Sequence, residues 1–325
     1  MKAAMHDEFG EPAKVLSCRT TDAPEPGRGE VQIRMKLSPI HNHDLWTVRG
    51  TYGYKPDLPD AIGGSEGMGH VEAVGEGVDD AMIGKRVTVA GVHGAWAEFF
   101  TAPAESVLPL PEEISDGDGA QLIAMPLSAL ALLETLKAKE GDWIIQTAAN
   151  GAVGKIMVTL ARSRGIHLVN LVRRDGAAEE MREVAAENVI NTSEAGWKDR
   201  VRDLTGGGAV SAIDSVGGET GAALLDLLGE NGELVVFGTA TGEPLPVASG
   251  PMIMKQITVK GFWAARMSQH LSNERRMEMI QELVRLAVKG DLPLDVGDTF
   301  ALDAVTDAVK AAQESGRGGK ILLQP

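Results

Sequence analysis

The sequence predicts an α/β protein in two parts, a β-rich domain and a doubly wound parallel sheet. Three observations carry this. Asp142 to Asp175 reads as one strand–helix–strand unit of about 30 residues, the size such a motif requires. From about Gln121 onward, short apolar runs alternate with helical patterns, which implies a parallel sheet with helices on both faces. Before that point the chain is a succession of short strands and glycine- or proline-rich turns.

In chain order, Ala23-Pro24-Glu25-Pro26-Gly27 is a connecting turn, and Glu30 to Met35 alternates apolar and polar residues as a half-buried strand does. Gly63 to Gly77 is dense in glycine around Val71 and Val74, which suggests bulges or close backbone approach. Gly84 to Val89 and Gly94 to Phe100 add two more strands. In the second part, Trp143-Ile144-Ile145 is a buried strand. Ala149-Asn150-Gly151-Ala152-Val153-Gly154 is the turn after it, and Val153, Met157, Leu160 and Ala161 recur at helical spacing. Leu168 to Val172 is the next strand. Glu180 to Ala186 reads as a short helix, then come strands at Val189 to Asn191 and Val210 to Asp214. A helix over Gly221 to Leu228, a strand over Gly232 to Gly238 and a last strand over Ile257 to Trp263 follow. Met277, Ile280, Val284 and Ala287 mark one face of an amphipathic helix with Gly290 past its end. Lys320 to Leu323 is a closing strand that returns to the first domain.

The turn at 149–154 is where chemistry enters. Gly151 supplies the backbone freedom to leave a strand and enter a helix, and Gly154 lets the helix lie close on the sheet. The first amides of the helix, around Ala152 and Val153, then point outward with partial positive charge, ready for a pyrophosphate. This is the G-x-G-x-x-G dinucleotide fingerprint of the Rossmann arrangement, with Ala149 at its first position. An acidic residue ending the second strand would favour NAD. Arg173 and Arg174 stand there instead, two cations whose planar forks suit a 2′-phosphate, so the reading is NADPH.

Composition bounds the rest. The 325 residues suggest two domains, and 43% hydrophobic content suffices for packed cores. A net charge of −15 argues against nucleic acid as the partner. Cys18 is the single cysteine, which rules out an internal disulfide or a multi-cysteine metal cluster. No run reaches transmembrane length and no signal segment opens the chain, so no membrane association and a reducing cytoplasm are expected.

On Gly67-Met68-Gly69-His70-Val71, Gly94-Ala95-Trp96-Ala97-Glu98 and the 149–154 turn, the whole chain resembles the medium-chain dehydrogenase/reductase superfamily. That resemblance implies a GroES-like catalytic domain of residues 1–121 and 265–325 around a Rossmann NADP-binding domain of residues 122–264. Many members hold a catalytic zinc. Here the first ligand position falls on His41, the His-Glu pair on Ser65-Glu66, and the third ligand near Ala124-Met125. His41, His43 and Glu66 are capable of metal binding as residue types. Without the partner ligands, a metal-free polar cleft is expected.

Among zinc-free members, the chain looks most like 2-enoyl thioester reductases of the mitochondrial type. The match rests on Arg49-Gly50-Thr51-Tyr52-Gly53, Pro56-Asp57-Leu58-Pro59, Gly63-Gly64-Ser65-Glu66-Gly67, Asn170-Leu171-Val172-Arg173, Gly261-Phe262-Trp263 and Gly319-Lys320-Ile321-Leu322. It places the family's catalytic tyrosine on Tyr52. It also puts Trp263 in the substrate pocket and Lys320 at the cofactor's phosphate, with Asn42 and His43 touching substrate or nicotinamide. Phe237, Gly238, Phe262 and Trp263 are counted with the cofactor-binding residues, alongside Ala149 to Gly154, Arg173 and Arg174. His41-Asn42-His43 replaces the family's Asn-Pro-Ser, a departure that bears on the substrate. The resemblance implies a homodimer through paired sheet edges.

Reduction of an activated double bond sends a hydride to the β-carbon and a proton to the α-carbon, with charge building on the carbonyl oxygen. A hydroxyl aimed at that oxygen stabilises the transition state or supplies the proton. Tyr52, between Gly50 and Gly53, is the candidate and Tyr54 its rival. The partner is then a small molecule, an enoyl thioester, an enone or a quinone. The alternatives are an NADPH:quinone oxidoreductase, which needs no proton donor, and a nucleotide-binding protein without turnover.

Overall fold

A computed structural model describes residues 1–268, 270–314, 316 and 318–325. The chain divides into two compact units. One comprises Met1–Met125, Leu283–Gly290 and Leu294–Pro325, the other Pro126–Glu282 and Asp291–Pro293.

The first unit is built on a seven-stranded sheet. Its order is Val296–Ala301, Lys320–Gln324, Glu30–Pro39, Glu66–Val74, Arg86–Ala90 and Leu108–Pro109, with Phe99–Pro103 also pairing with Glu30–Pro39. A three-stranded sheet of Ser17–Thr20, Lys2–His6 and Ala61–Ile62 completes it. Val31, Ile33 and Met35 face the core as their alternation predicts, none more than 2% exposed. The glycine-dense stretch does bring backbones together. A Cβ on Gly69 would lie 2.0 Å from the Arg34 carbonyl oxygen, and the pairing of the two strands shifts register at Gln32/Ile33 and Met35/Leu37.

The strand expected over Gly94 to Phe100 begins only at Phe99. Gly94 turns the backbone at φ +81°, and Trp96 is buried with its ring against the backbones of Gly63 and Gly64. The Trp96 Nε1–H donates to the Pro39 carbonyl (3.1 Å), and Ala97 makes one bridge to Ala3. Burying the indole and satisfying its N–H outweighs continued ladder pairing there.

The second unit is a six-stranded, all-parallel sheet. Its order is Val189–Asn191, His167–Val172, Trp143–Gln146, Ala209–Asp214, Leu228–Val236 and Thr258–Gly261. The first strand in the chain is central, the next two lie on one side and the last three on the other. The strand order therefore reverses between Trp143–Gln146 and Ala209–Asp214, the place where such sheets bind ligands. Ile145, Val169, Leu171, Ala212 and Leu234 form its core with Leu224 and Leu225.

Several boundaries differ from expectation. The helix after the second strand spans Asp175–Glu183, starting earlier than Glu180, and it ends before Ala185 takes φ +52°. A helix not expected from the sequence, Trp197–Thr205, comes next; the helix expected over Gly221 to Leu228 is Gly218–Leu227, and the strand after it starts at Leu228. Phe237 and Gly238 lie beyond the end of that strand, and Phe262 and Trp263 beyond the last one. The amphipathic helix spans Asn273–Val288, but Met277 is 43% exposed while Met279, Ile280 and Leu283 are buried. At about 100° per residue, Met277 falls roughly a third of a turn from the centre of the buried stripe. None of the described helices is long and apolar enough to cross a membrane.

Candidate active site

The nucleotide turn follows Gln146. Ala148, not Gly151, carries the left-handed backbone, with φ +49°, and Gly151 sits at an ordinary φ of −75° as the helix N-cap. The Gly151 N–H donates to the Ala148 carbonyl (2.9 Å) and closes the turn. Gly154 has no room for a side chain, since a Cβ there would meet the Ala149 carbonyl oxygen at 2.3 Å. Ala152, Val153 and Gly154 form the first turn of the helix Ala152–Ser163, whose first i→i−4 bond is donated by Lys155. Their amides have no helical acceptor and are the kind of donors that bind phosphate.

The turn is braced from below. Gln146, buried, donates from Nε2 to the Gly154 carbonyl (3.0 Å) and to Asn170 Oδ1 (2.7 Å). Asp214 is fully buried at the end of its strand and takes Thr147 Oγ1 (2.9 Å) and the amides of Val216 and Gly217 (3.0 Å each). The amides of Phe237 and Gly238 donate to its carbonyl. Asp214 therefore holds the loops at the sheet's carboxyl edge. The rings of Phe237 and Phe262 lie 6.0 Å apart, and Trp263 is 43% exposed.

The two arginines are not equivalent. Arg174 is ion-paired with Glu180 (2.6 Å), whose other oxygen accepts from Asn150 Nδ2 (2.9 Å). Arg173 is exposed and has no ion pair among the described residues. Glu180, unmarked in the sequence reading, thus links the turn to the arginine pair. Its position on the helix following Arg174 was the available signal.

In the first unit, a second constellation forms around the helix Asn42–Val48. His41 is its N-cap, and the His41 amide donates to Asp44 Oδ2 (2.9 Å). The side chain of His41 is wholly buried, with Nε2 2.7 Å from Glu66 Oε2. Glu66 Oε1 accepts the amides of Ile123 (2.9 Å) and Ala124 (2.8 Å) at the start of the helix Ala124–Thr135. Burial pushes the Glu66 carboxyl up to about 7, against these two amides, which favour its charged form. Burial, then the Lys320 charge, holds His41 well below the ordinary imidazole range. His41 Nδ1 is buried without a hydrogen-bond partner among the described residues.

His43 lies next to this pair, its ring 5.0 Å from that of His41 and 5.6 Å from that of Tyr52. Its Nε2 is 2.7 Å from Ser65 Oγ, and Ser65 Oγ donates to Asp44 Oδ1 (2.6 Å). Tyr52 is half-buried, also near Trp46 (6.5 Å), whereas Tyr54 is 38% exposed and stacks on His93. Asn42 is exposed at the first helical position, apart from this network. Lys320 is buried in this unit, within electrostatic reach of His41 and Glu66. Tyr52 and His43 are brought together; Trp263 belongs to the other unit. Ser65 and Asp44 were missed as partners of His43, because their convergence comes from two segments folding onto one another.

The zinc-ligand positions do not fit zinc. His41 is bonded to Glu66, Glu66 is bonded to the backbone at the third position, and no group of three ligands is arranged for a metal among the described residues.

Comparisons with known proteins agree with this geometry. Residues 27–112 match the family model for the alcohol dehydrogenase GroES-like domain, and residues 152–286 the one for zinc-binding dehydrogenases. The mitochondrial enoyl-[acyl-carrier-protein] reductase of Caenorhabditis elegans is 32% identical over 297 residues, covering 89% of this chain and 85% of that one. The chain belongs to the medium-chain dehydrogenase/reductase superfamily. Within the superfamily it groups with enoyl reductase- and quinone oxidoreductase-like members. A Bacillus thuringiensis protein assigned as an NADPH:quinone reductase superposes with TM-score 0.93 at 30% identity, over 100% of this chain and 98% of that one. Escherichia coli quinone oxidoreductase, solved with NADPH, superposes with TM-score 0.90 at 26% identity, over 100% of both. The family model's zinc is therefore a property of other superfamily members, not of this ligand set.

Proposed function

We propose that the protein is a zinc-independent, NADPH-dependent reductase of activated carbon–carbon double bonds, and that its substrate is a 2-enoyl thioester. The observation that carries the reading is Tyr52, a hydroxyl held beside His43 in a unit whose metal positions are filled by a His–Glu hydrogen bond. Similarity to an enoyl reductase over most of the chain supports the thioester.

NADPH, when bound, supplies a hydride. The chain's own residues do the rest. The amides of Ala152, Val153 and Gly154 receive the pyrophosphate, and Arg173 meets the 2′-phosphate. Tyr52 donates to the carbonyl oxygen of the substrate as negative charge develops on it.

Quinone reduction is the second reading, favoured by the close superposition on quinone oxidoreductases. NADPH oxidation with crotonyl-coenzyme A and with a simple quinone separates the two, using wild type and Tyr52→Phe. Thioester turnover that falls by about 10²-fold or more in the variant is expected. Quinone turnover that survives the change, with no thioester activity, would replace the first reading by the second.

A further inference from the structure

The hydrogen bonds around His43 fix where its ring hydrogens sit. Ser65 has a single hydroxyl hydrogen, and it goes to the Asp44 carboxylate (2.6 Å). The Ser65 oxygen can then only accept from His43, so His43 Nε2 carries a hydrogen in either charge state of the ring. Nδ1 is left as the position where a proton comes and goes, and it has no hydrogen-bond partner among the described residues. A proton on Nδ1 makes an imidazolium whose charge faces Asp44, 3.5 Å away, with the buried Glu66 beyond His41. The His43 side chain keeps 22% of its surface exposed, enough to exchange with water, while that of Asp44 keeps 3%. The arrangement has the logic of a histidine fixed in one tautomer by a buried acid, with a serine interposed.

We propose that His43 is a catalytic acid of the reduction and that Ser65 and Asp44 are its positioning residues. This rests on the reductase reading and divides its labour: Tyr52 stabilises charge on oxygen, and His43 delivers the proton. After hydride addition, the Nδ1–H bond breaks and a C–H bond forms at the α-carbon of the thioester. For a quinone, an O–H bond of the hydroquinone forms instead. The ring becomes neutral imidazole with Nε2–H intact, and Nδ1 recovers its proton from water. One hydride and one proton enter the substrate, and NADPH is the only species oxidised.

The test compares wild type, His43→Gln, Ser65→Ala and Tyr52→Phe with crotonyl-coenzyme A and a quinone, alongside NADPH binding by fluorescence. His43→Gln should lower kcat by about 10²- to 10⁴-fold, the usual contribution of a positioned acid, with NADPH affinity unchanged. Added imidazole should restore part of that loss, and should not help Tyr52→Phe. Ser65→Ala should lower kcat at constant KM and enlarge the solvent deuterium isotope effect, because the proton donor is then loosely held. A His43→Gln enzyme within threefold of wild type would overturn the inference and leave the reductase intact. So would a loss that imidazole does not rescue and that weakens NADPH binding equally, which would make His43 a packing residue. A wild type inactive on both substrates would overturn the reductase reading and this one with it.

Discussion

At the scale of single residues, the His41–Glu66 contact fixes how stability depends on pH. Between the ordinary values of 4.5 for the carboxyl and 6.5 for the imidazole, the unfolded pair holds one proton, on the histidine. The folded pair also holds one there, because Glu66 is raised to about 7 while His41 is depressed. Stability contributed by this pair is therefore level across that window. Above 6.5 the unfolded chain releases its proton while the folded one retains it to about 7, so stability falls as pH rises, by on the order of 1 kcal/mol. Below 4.5 the unfolded chain takes a second proton that buried His41 refuses, and stability falls again. Denaturant midpoints measured against pH check this. Glu66→Gln should abolish the fall above 6.5 and move the onset of the acid fall up from 4.5 to 6.5. The arginine pair makes a second prediction. Arg173→Ala should weaken NADPH by about tenfold and leave NADH unchanged. Glu180→Ala, which removes the carboxylate holding Arg174, should raise the preference for NADPH several-fold; paired titrations of both nucleotides decide it. Arg173 and Arg174 were legible as a basic pair in an acidic chain. Their inequality was not, since it depends on Glu180, six residues on in the following helix, folding back to hold only one of them.

At the scale of elements, the turn at Ala148–Gly154 joins what sequence states to what it conceals. Gly154 is required by the 2.3 Å approach to Ala149, and its place in the fingerprint announced this. Gly151 was assigned the unusual backbone, yet Ala148 adopts it, because the strand must begin to turn before the helix axis is set. Gly154→Ala should force the first turn of the helix Ala152–Ser163 away from the Ala149 backbone, costing about 1–3 kcal/mol as overpacking does. NADPH affinity, read by fluorescence titration, should drop at least tenfold. Ala149→Gly, which restores the usual fingerprint, should leave it within about threefold. An equal effect of both changes would mean that the turn does not set the cradle. Met277 shows the opposite limit of legibility. Hydrophobic spacing locates a helix, but the direction of its stripe depends on what the helix is packed against.

At the scale of the whole molecule, the parallel sheet was legible because its strands are short apolar runs, most of them parted by a helical pattern, although the helices Trp197–Thr205 and Ser249–Lys255 between later strands were not read. The β-rich unit was legible only as strands and turns, since antiparallel partners far apart in sequence leave no periodic trace. The acid network shows the same difficulty in small. His41 meets Glu66 across 25 residues, and Lys320 acts on both from the far end of the chain. That last separation sets an order of events during synthesis. Residues 126–282, which hold the complete parallel sheet, leave the ribosome before Lys320–Gln324 has been made. The unit begun first is thus left waiting for its closing strand, and the second unit is the first whose chain is complete enough to fold. The turn at 148–154 and all six strands of its sheet are therefore synthesised while the unit that holds His41, His43 and Glu66 still lacks its closing strand.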